Sequence, residues 1–331
     1  MFGGMLDKVT GILDPRLVLT SLLPAIAFWA VVGGLAGSQA GWQRVDTRWN
    51  HLDTTAHILL GVIAIALLVL FALVLAASEG ALLGLYEGYW GDYPPGAWLA
   101  RAGKRWHAWR RERKGSDYEF IYRNYPRYRG SPAGDRPEQI MPTRLGNIIK
   151  AAELYPGDKG RYGMDAVFFW PRLYQVIPDS ARTSLDSART SMTLMLNICT
   201  LALVLSAAAF VALAAAIVRP ADAWWAAAGG GAAVAWLAYR SALGPARVYC
   251  DLVRSMHDLY RGDLLAKLGF ALPATLAAEQ ELWQNLGEQM YRRLATSPAV
   301  LDEARARAVA TATPAPPPAG NPADRPADAG P

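Results

Sequence analysis

The stretch ILLGVIAIALLVLFALVLAA, residues 58–77, contains no charged, amide or hydroxyl side chain. A helix of about 20 such residues covers the roughly 30 Å hydrocarbon core of a bilayer. Three more apolar runs surround it: LVLTSLLPAIAFWAVVGGLA at 17–36, MTLMLNICTLALVLSAAAFVALAAAIV at 192–218 and AWWAAAGGGAAVAWLAY at 223–239. The last is short and rich in alanine and glycine, but Trp224, Trp225, Trp236 and Tyr239 sit near its ends, where aromatic residues favour the two interfaces. Charged residues make up 18% of the 331-residue chain, against about 25% in soluble domains. The reading is an all-α polytopic membrane protein, with four transmembrane helices in two hairpins and a mainly helical cytoplasmic domain.

Basic residues set the expected orientation. If 38–55 and 219–222 face outward, they carry Arg44, Arg48 and Arg219, and every other lysine and arginine falls on the opposite side. That bias predicts a multi-pass protein of the plasma (cell inner) membrane with both termini in the cytoplasm. Residues 1–16 place Phe2, Met5, Leu6, Val9, Ile12 and Leu13 on one helical face, as in an interfacial amphipathic helix. They carry Asp7 and Asp14 and no small-residue cleavage site, unlike a signal peptide.

The segments follow in order. Residues 17–90 form a first hairpin whose second helix continues toward Trp90, past the bilayer, with a bend near Gly84 or Gly88. Residues 91–190 form a cytoplasmic domain, 191–242 a second hairpin, 243–310 cytoplasmic amphipathic helices, and 311–331 a Pro/Ala-rich disordered tail. Within 243–310, apolar stripes read as Val248, Leu252, Met256 and Leu259, then Leu276, Trp283, Leu286 and Met290. The alternation of Tyr118, Phe120 and Tyr122 reads as a short strand.

The basic segment GAWLARAGKRWHAWRRERKG, 96–115, places Trp98, Trp106 and Trp109 near one helical face, among Arg101, Lys104, Arg105, Arg110 and Arg111. Tryptophans interleaved with cations directly after a span suit an anionic lipid surface. A second candidate region, 141–178, reads as a compact domain with salt links at its rim, and in the alternative its Arg144, Arg161 and Arg172 form a docking site for a phosphorylated headgroup or ligand. Glu79 and Asn197 reach similar depths from the same side; Glu79 reads first as a solvated residue at the headgroups, and the alternative is a hydrogen bond to Asn197 near the permeation path of a channel.

Catalytic signatures are missing from the sequence. PGDKGRYG at 156–163 is neither a Walker A loop nor a dinucleotide fingerprint, and HExxH, CxxC and GxSxG do not occur. Its GDKG is too little for a nucleic-acid clamp. Cys199 and Cys250 imply no disulfide framework. The expectation is therefore a non-catalytic protein without cofactor or metal and without nucleic-acid partner. It acts as a membrane-anchored scaffold or signalling module that recruits cytoplasmic partners or anionic inner-leaflet lipid. The alternative is an oligomeric ion channel or transporter. Its expected partners are membrane lipids and either further copies of itself or another membrane protein.

Overall fold

A computed structural model describes residues 14–91, 93–126, 139–157, 161–218, 221–292 and 298–312. Among the described residues the regular structure is all helical. The expected interfacial helix at 1–16 lies almost wholly outside them, as does the tail beyond 312.

Helix α1, Pro15–Ala40, starts where Asp14 accepts a hydrogen bond from the Arg16 amide and includes a π-helical turn at Val18–Leu22. Gly41, at φ +84°, separates it from the short α2, Trp42–Asn50. Asp53 caps α3, Thr54–Ala77, by accepting from the Ala56 amide at 2.9 Å. The continuous helix expected as far as Trp90 breaks earlier, at Ser78. A separate α4, Glu79–Glu87, follows and ends at Gly88 in the left-handed region.

Helices α5, Gly96–Arg113, and α6, Tyr118–Asn124, come next. The strand expected at 118–122 is helical: Asp117 accepts from the Phe120 amide and starts a turn, a stronger local signal than three alternating aromatics. Thr143 and Asp165 cap α7, Arg144–Glu153, and α8, Ala166–Val176, in the same way. The chain then forms its two longest helices, α9 at Asp179–Ala214 and α10 at Ala221–Lys267. Helices α11, Leu276–Arg292, and α12, Pro298–Ala312, complete the series.

Among the described residues three helices are long and apolar enough to cross a membrane: α1, α3 and α9. Many of their large side chains face outward, most of all on α3, where Leu67 and Leu70 are 60% and 57% exposed. A helix that is apolar all round and unburied needs an apolar solvent. Helix α1 runs in the direction of α9: Arg16 pairs with Asp186, the Thr20 carbonyl accepts from Asn197 Nδ2 at 2.8 Å, and Gln39 reaches the Ile217 carbonyl. Helix α10 runs antiparallel to α9. Ser206 Oγ donates to the Ala228 carbonyl at 2.7 Å, and Gly231 lies against Ala202, where a Cβ would stand 2.9 Å from the carbonyl oxygen. Small residues let these two backbones approach closely.

Beyond the apolar segments, α8 to α12 share a core of Phe169, Leu173, Ile177, Leu185, Met256, Leu264, Leu265, Leu282, Trp283, Leu286 and Leu301. Each buried aliphatic or aromatic side chain there stabilises the fold by about 1.5–3 kcal/mol before entropy is counted. A second cluster joins Leu145 and Ile148 of α7 to Met192 and Leu196 of α9 and to Ala242, Leu243 and Cys250 of α10. Residues 246–267 are the second half of α10 and not a separate helix. The expected stripe holds in part: Met256 is buried and Leu252 packs against the core, but Val248 and Leu259 are exposed while Cys250, Val253, Arg254 and His257 are buried, so the inward face is rotated from the expected one. The rotation brings Arg254 into the interior, stacked 4.4 Å over the Tyr122 ring and bonded to Asp251 at 3.0 Å.

Candidate functional site

Helix α5 docks by its back. Gly103 touches the 141–143 segment so closely that a Cβ would lie 2.5 Å from the Pro142 carbonyl oxygen, and His107 is the buried side chain of the helix. The opposite face carries Trp98, Leu99, Trp106 and Trp109, all exposed, the first at 62%. Arg101 and Arg105 are exposed beside them, Lys104 and Arg111 half-buried. Arg110 lies 5.2 Å over the Trp106 ring and Arg113 4.8 Å over Trp109, so cations and indoles share one surface. The tryptophan face and its cations, legible from spacing, are thus brought together and turned away from the protein.

The second set of candidates is not brought together. Arg144 lies 5.7 Å over the Trp106 ring. Arg161 lies over the Tyr155 ring and donates to its hydroxyl at 2.6 Å, while that hydroxyl donates to Asp258 at 2.8 Å. Arg172 lies over Phe168 and donates to its carbonyl at 2.8 Å. Three arginines close in sequence are therefore spent on three different aromatic neighbours.

Glu79 and Asn197 do not pair with each other. Glu79 Oε1 accepts from Arg189 Nη2 and from Thr193 Oγ1, each at 3.1 Å. Asn197, nearly fully buried, instead satisfies the Thr20 carbonyl, a backbone group on α1 beside its π-helical turn. The expected partner was misplaced by about a helical turn: Thr193 lies one turn before Asn197 on α9.

Where α4 meets α7, Glu87 lies near the Lys150–Glu153 ion pair. Burial, reinforced by the charge of Glu153, pushes its carboxyl up to about 7. A carboxyl raised in the fold holds its proton after the unfolded chain has lost its own, so stability falls as pH rises from about 4.5 to about 7. His107 has the opposite slope. Burial and the charges of Arg110 and Arg144 lower it to about 4, so stability rises with pH between about 4 and 6.5. Glu87→Gln removes the first effect and leaves the second. The variant is expected to match wild type near pH 4.5 and to exceed it increasingly up to pH 7, then to hold a constant advantage. Thermal melts of both proteins in detergent across that range test this; an advantage that does not change with pH refutes the assignment.

No protein-family model, curated protein or solved structure matches the chain.

Proposed function

We propose that the chain is a four-span protein of the plasma (cell inner) membrane, with two hairpins and both termini cytoplasmic. It serves as a non-catalytic anchor whose cytoplasmic helices recruit partners and grip the anionic inner leaflet. The observation that carries this reading is the outward face of α5, with exposed indoles among cations next to the spanning helices. Two features support the fourth span. The first half of α10 exposes Trp225, Trp236 and Leu237, and it returns antiparallel along α9 through Gly231 and Ala228. The internal engagement of Glu79 and Asn197 supports a scaffold over a permeation path, because both side chains are occupied in joining helices.

The test places a spin label at Trp98→Cys, with Cys199 and Cys250 replaced by alanine, in nanodiscs. Collisions with oxygen are expected to exceed those with a water-soluble nickel chelate when phosphatidylglycerol is present, and to fall in pure phosphatidylcholine. A label that meets the nickel chelate freely in both lipids rules the reading out.

A further inference from the structure

Three arginines from three helices meet behind the outward face of α5. Arg110 of α5, Arg144 of α7 and Arg247 of α10 line one small, half-open cleft with Asn124 and Phe120 of α6, His107 and Tyr125. Arg110 packs over Trp106 and Phe120, Arg144 over Trp106, and Arg247 donates to Asn124 Oδ1 at 3.1 Å. Among the described residues none of the three forms an ion pair. Asp251 is the carboxylate that acts on Arg247, and it is already shared by Arg254 at 3.0 Å and Arg123 at 3.9 Å.

The surroundings add positive charge. Burial lowers Arg144 and Arg247, and Arg110 repels both; Arg240 acts in the same sense on Arg144, and Arg123 on Arg247. His107 is neutral above pH 5 and is hydrogen-bonded to the Tyr125 hydroxyl at 2.9 Å. Half-buried cations of one sign without a counter-charge destabilise each other, and structures normally pair them. The residue facing Arg247 is an asparagine, whose neutral oxygen orients the guanidinium without discharging it. Its amide nitrogen is held by the Phe120 carbonyl at 2.9 Å, which fixes that orientation.

We propose that this cleft is a binding site for a phosphorylated anion, gripped by Arg110, Arg144 and Arg247. Guanidinium forks match phosphate oxygens, and a ligand with two negative charges adds the counter-charge that the described residues supply only through Asp251, already shared with Arg254 and Arg123. The inference does not depend on α5 meeting a bilayer, since a soluble phosphate and a lipid headgroup present the same group.

The experiment uses the full chain in a neutral detergent and reads the melting temperature by intrinsic tryptophan fluorescence. Ligands are sodium pyrophosphate, with sodium chloride at matched ionic strength as its control, and phosphatidic acid, with phosphatidylcholine as its control. A rise of several degrees is expected with at least one of them. Pyrophosphate alone identifies a soluble anion; phosphatidic acid, with or without pyrophosphate, identifies a site that accepts a headgroup. In Asn124→Asp an isosteric carboxylate beside Arg247 replaces the missing charge. That variant is expected to melt no lower than wild type without ligand and to lose the rise. Arg247→Gln loses it too, and Arg48→Gln, at the far end of the molecule on α2, keeps it. No rise with either ligand, or a rise that survives in Asn124→Asp, overturns the proposal even where Arg247→Gln fails to fold.

Discussion

Trp283→Ala is expected to cost about 3–5 kcal/mol, enough to remove a large part of the 5–15 kcal/mol that typically holds a domain folded. Trp283 is 1% exposed at the centre of the core shared by α8 to α12. Its ring meets Phe169 edge-on, with centroids 4.9 Å apart, and packs among Leu282, Leu286 and Leu265. Alanine leaves a cavity in a core shared by several helices, which cannot close on it without disturbing their own contacts. The indole nitrogen reaches Glu279, at 3.4 Å, and Glu279 also accepts from Arg261 at 2.8 Å, so the loss also loosens a nearly buried ion pair. Trp283→Phe keeps most of the volume and is expected to lose less than half as much. Urea unfolding in mild detergent measures both; a loss below about 1 kcal/mol for alanine refutes the placement of this side chain at the core.

Gly146→Ala sets two effects of opposite sign against each other. Alanine in a helix interior is favoured over glycine by about 0.8–1 kcal/mol, so propensity alone predicts a more stable protein. Position 146 is buried in the first turn of α7, and a Cβ there would stand 2.0 Å from the Glu87 carbonyl oxygen and 2.9 Å from the Met141 side chain. The first obstacle is backbone and has no rotamer to escape into. Steric exclusion wins: α4 must withdraw from α7, and the bond from Thr143 Oγ1 to the Glu87 carbonyl, 3.0 Å long, is lost with it. A net destabilisation of about 1–3 kcal/mol is expected, together with faster amide exchange in α4. A variant that melts above wild type would show that propensity decides the position.

How much of this was legible depended on how local the cause was. The three helices apolar enough to span follow from long apolar runs, and the indole face of α5 follows from spacing within one helix. The start of α7 has an equally local cause, since the Thr143 cap acts within three residues. The helix at 118–124 was misread because three aromatics at alternate positions fit a strand as well as a short helix, and the deciding group, Asp117, is a single side chain. The rotation of the 246–267 stripe came from α8 and α11 packing against it, which hydrophobicity along one helix does not report. The cleft of Arg110, Arg144 and Arg247 was not legible as a unit, although Arg144 reads as an anion ligand and Arg110 as a lipid-facing cation. Its members lie in three distant segments, and each taken alone is an ordinary basic residue of a cytoplasmic helix.

Helix α10 runs unbroken from Ala221 to Lys267, straight through Pro245, so its 47 residues reach about 70 Å. One end carries exposed indoles beside α9; the other sets Leu264 and Leu265 against Trp283. Pro245, lacking an N–H, removes one rung of its hydrogen-bond ladder without ending the helix. In the proposed topology, a change in its tilt imposed by bilayer thickness is carried as a lever arm swings, so that a few degrees at the lipid end become several ångströms of travel at the far end. Arg247 rides on that same shaft, about midway along, which makes the mouth of the arginine cleft mechanically continuous with the membrane.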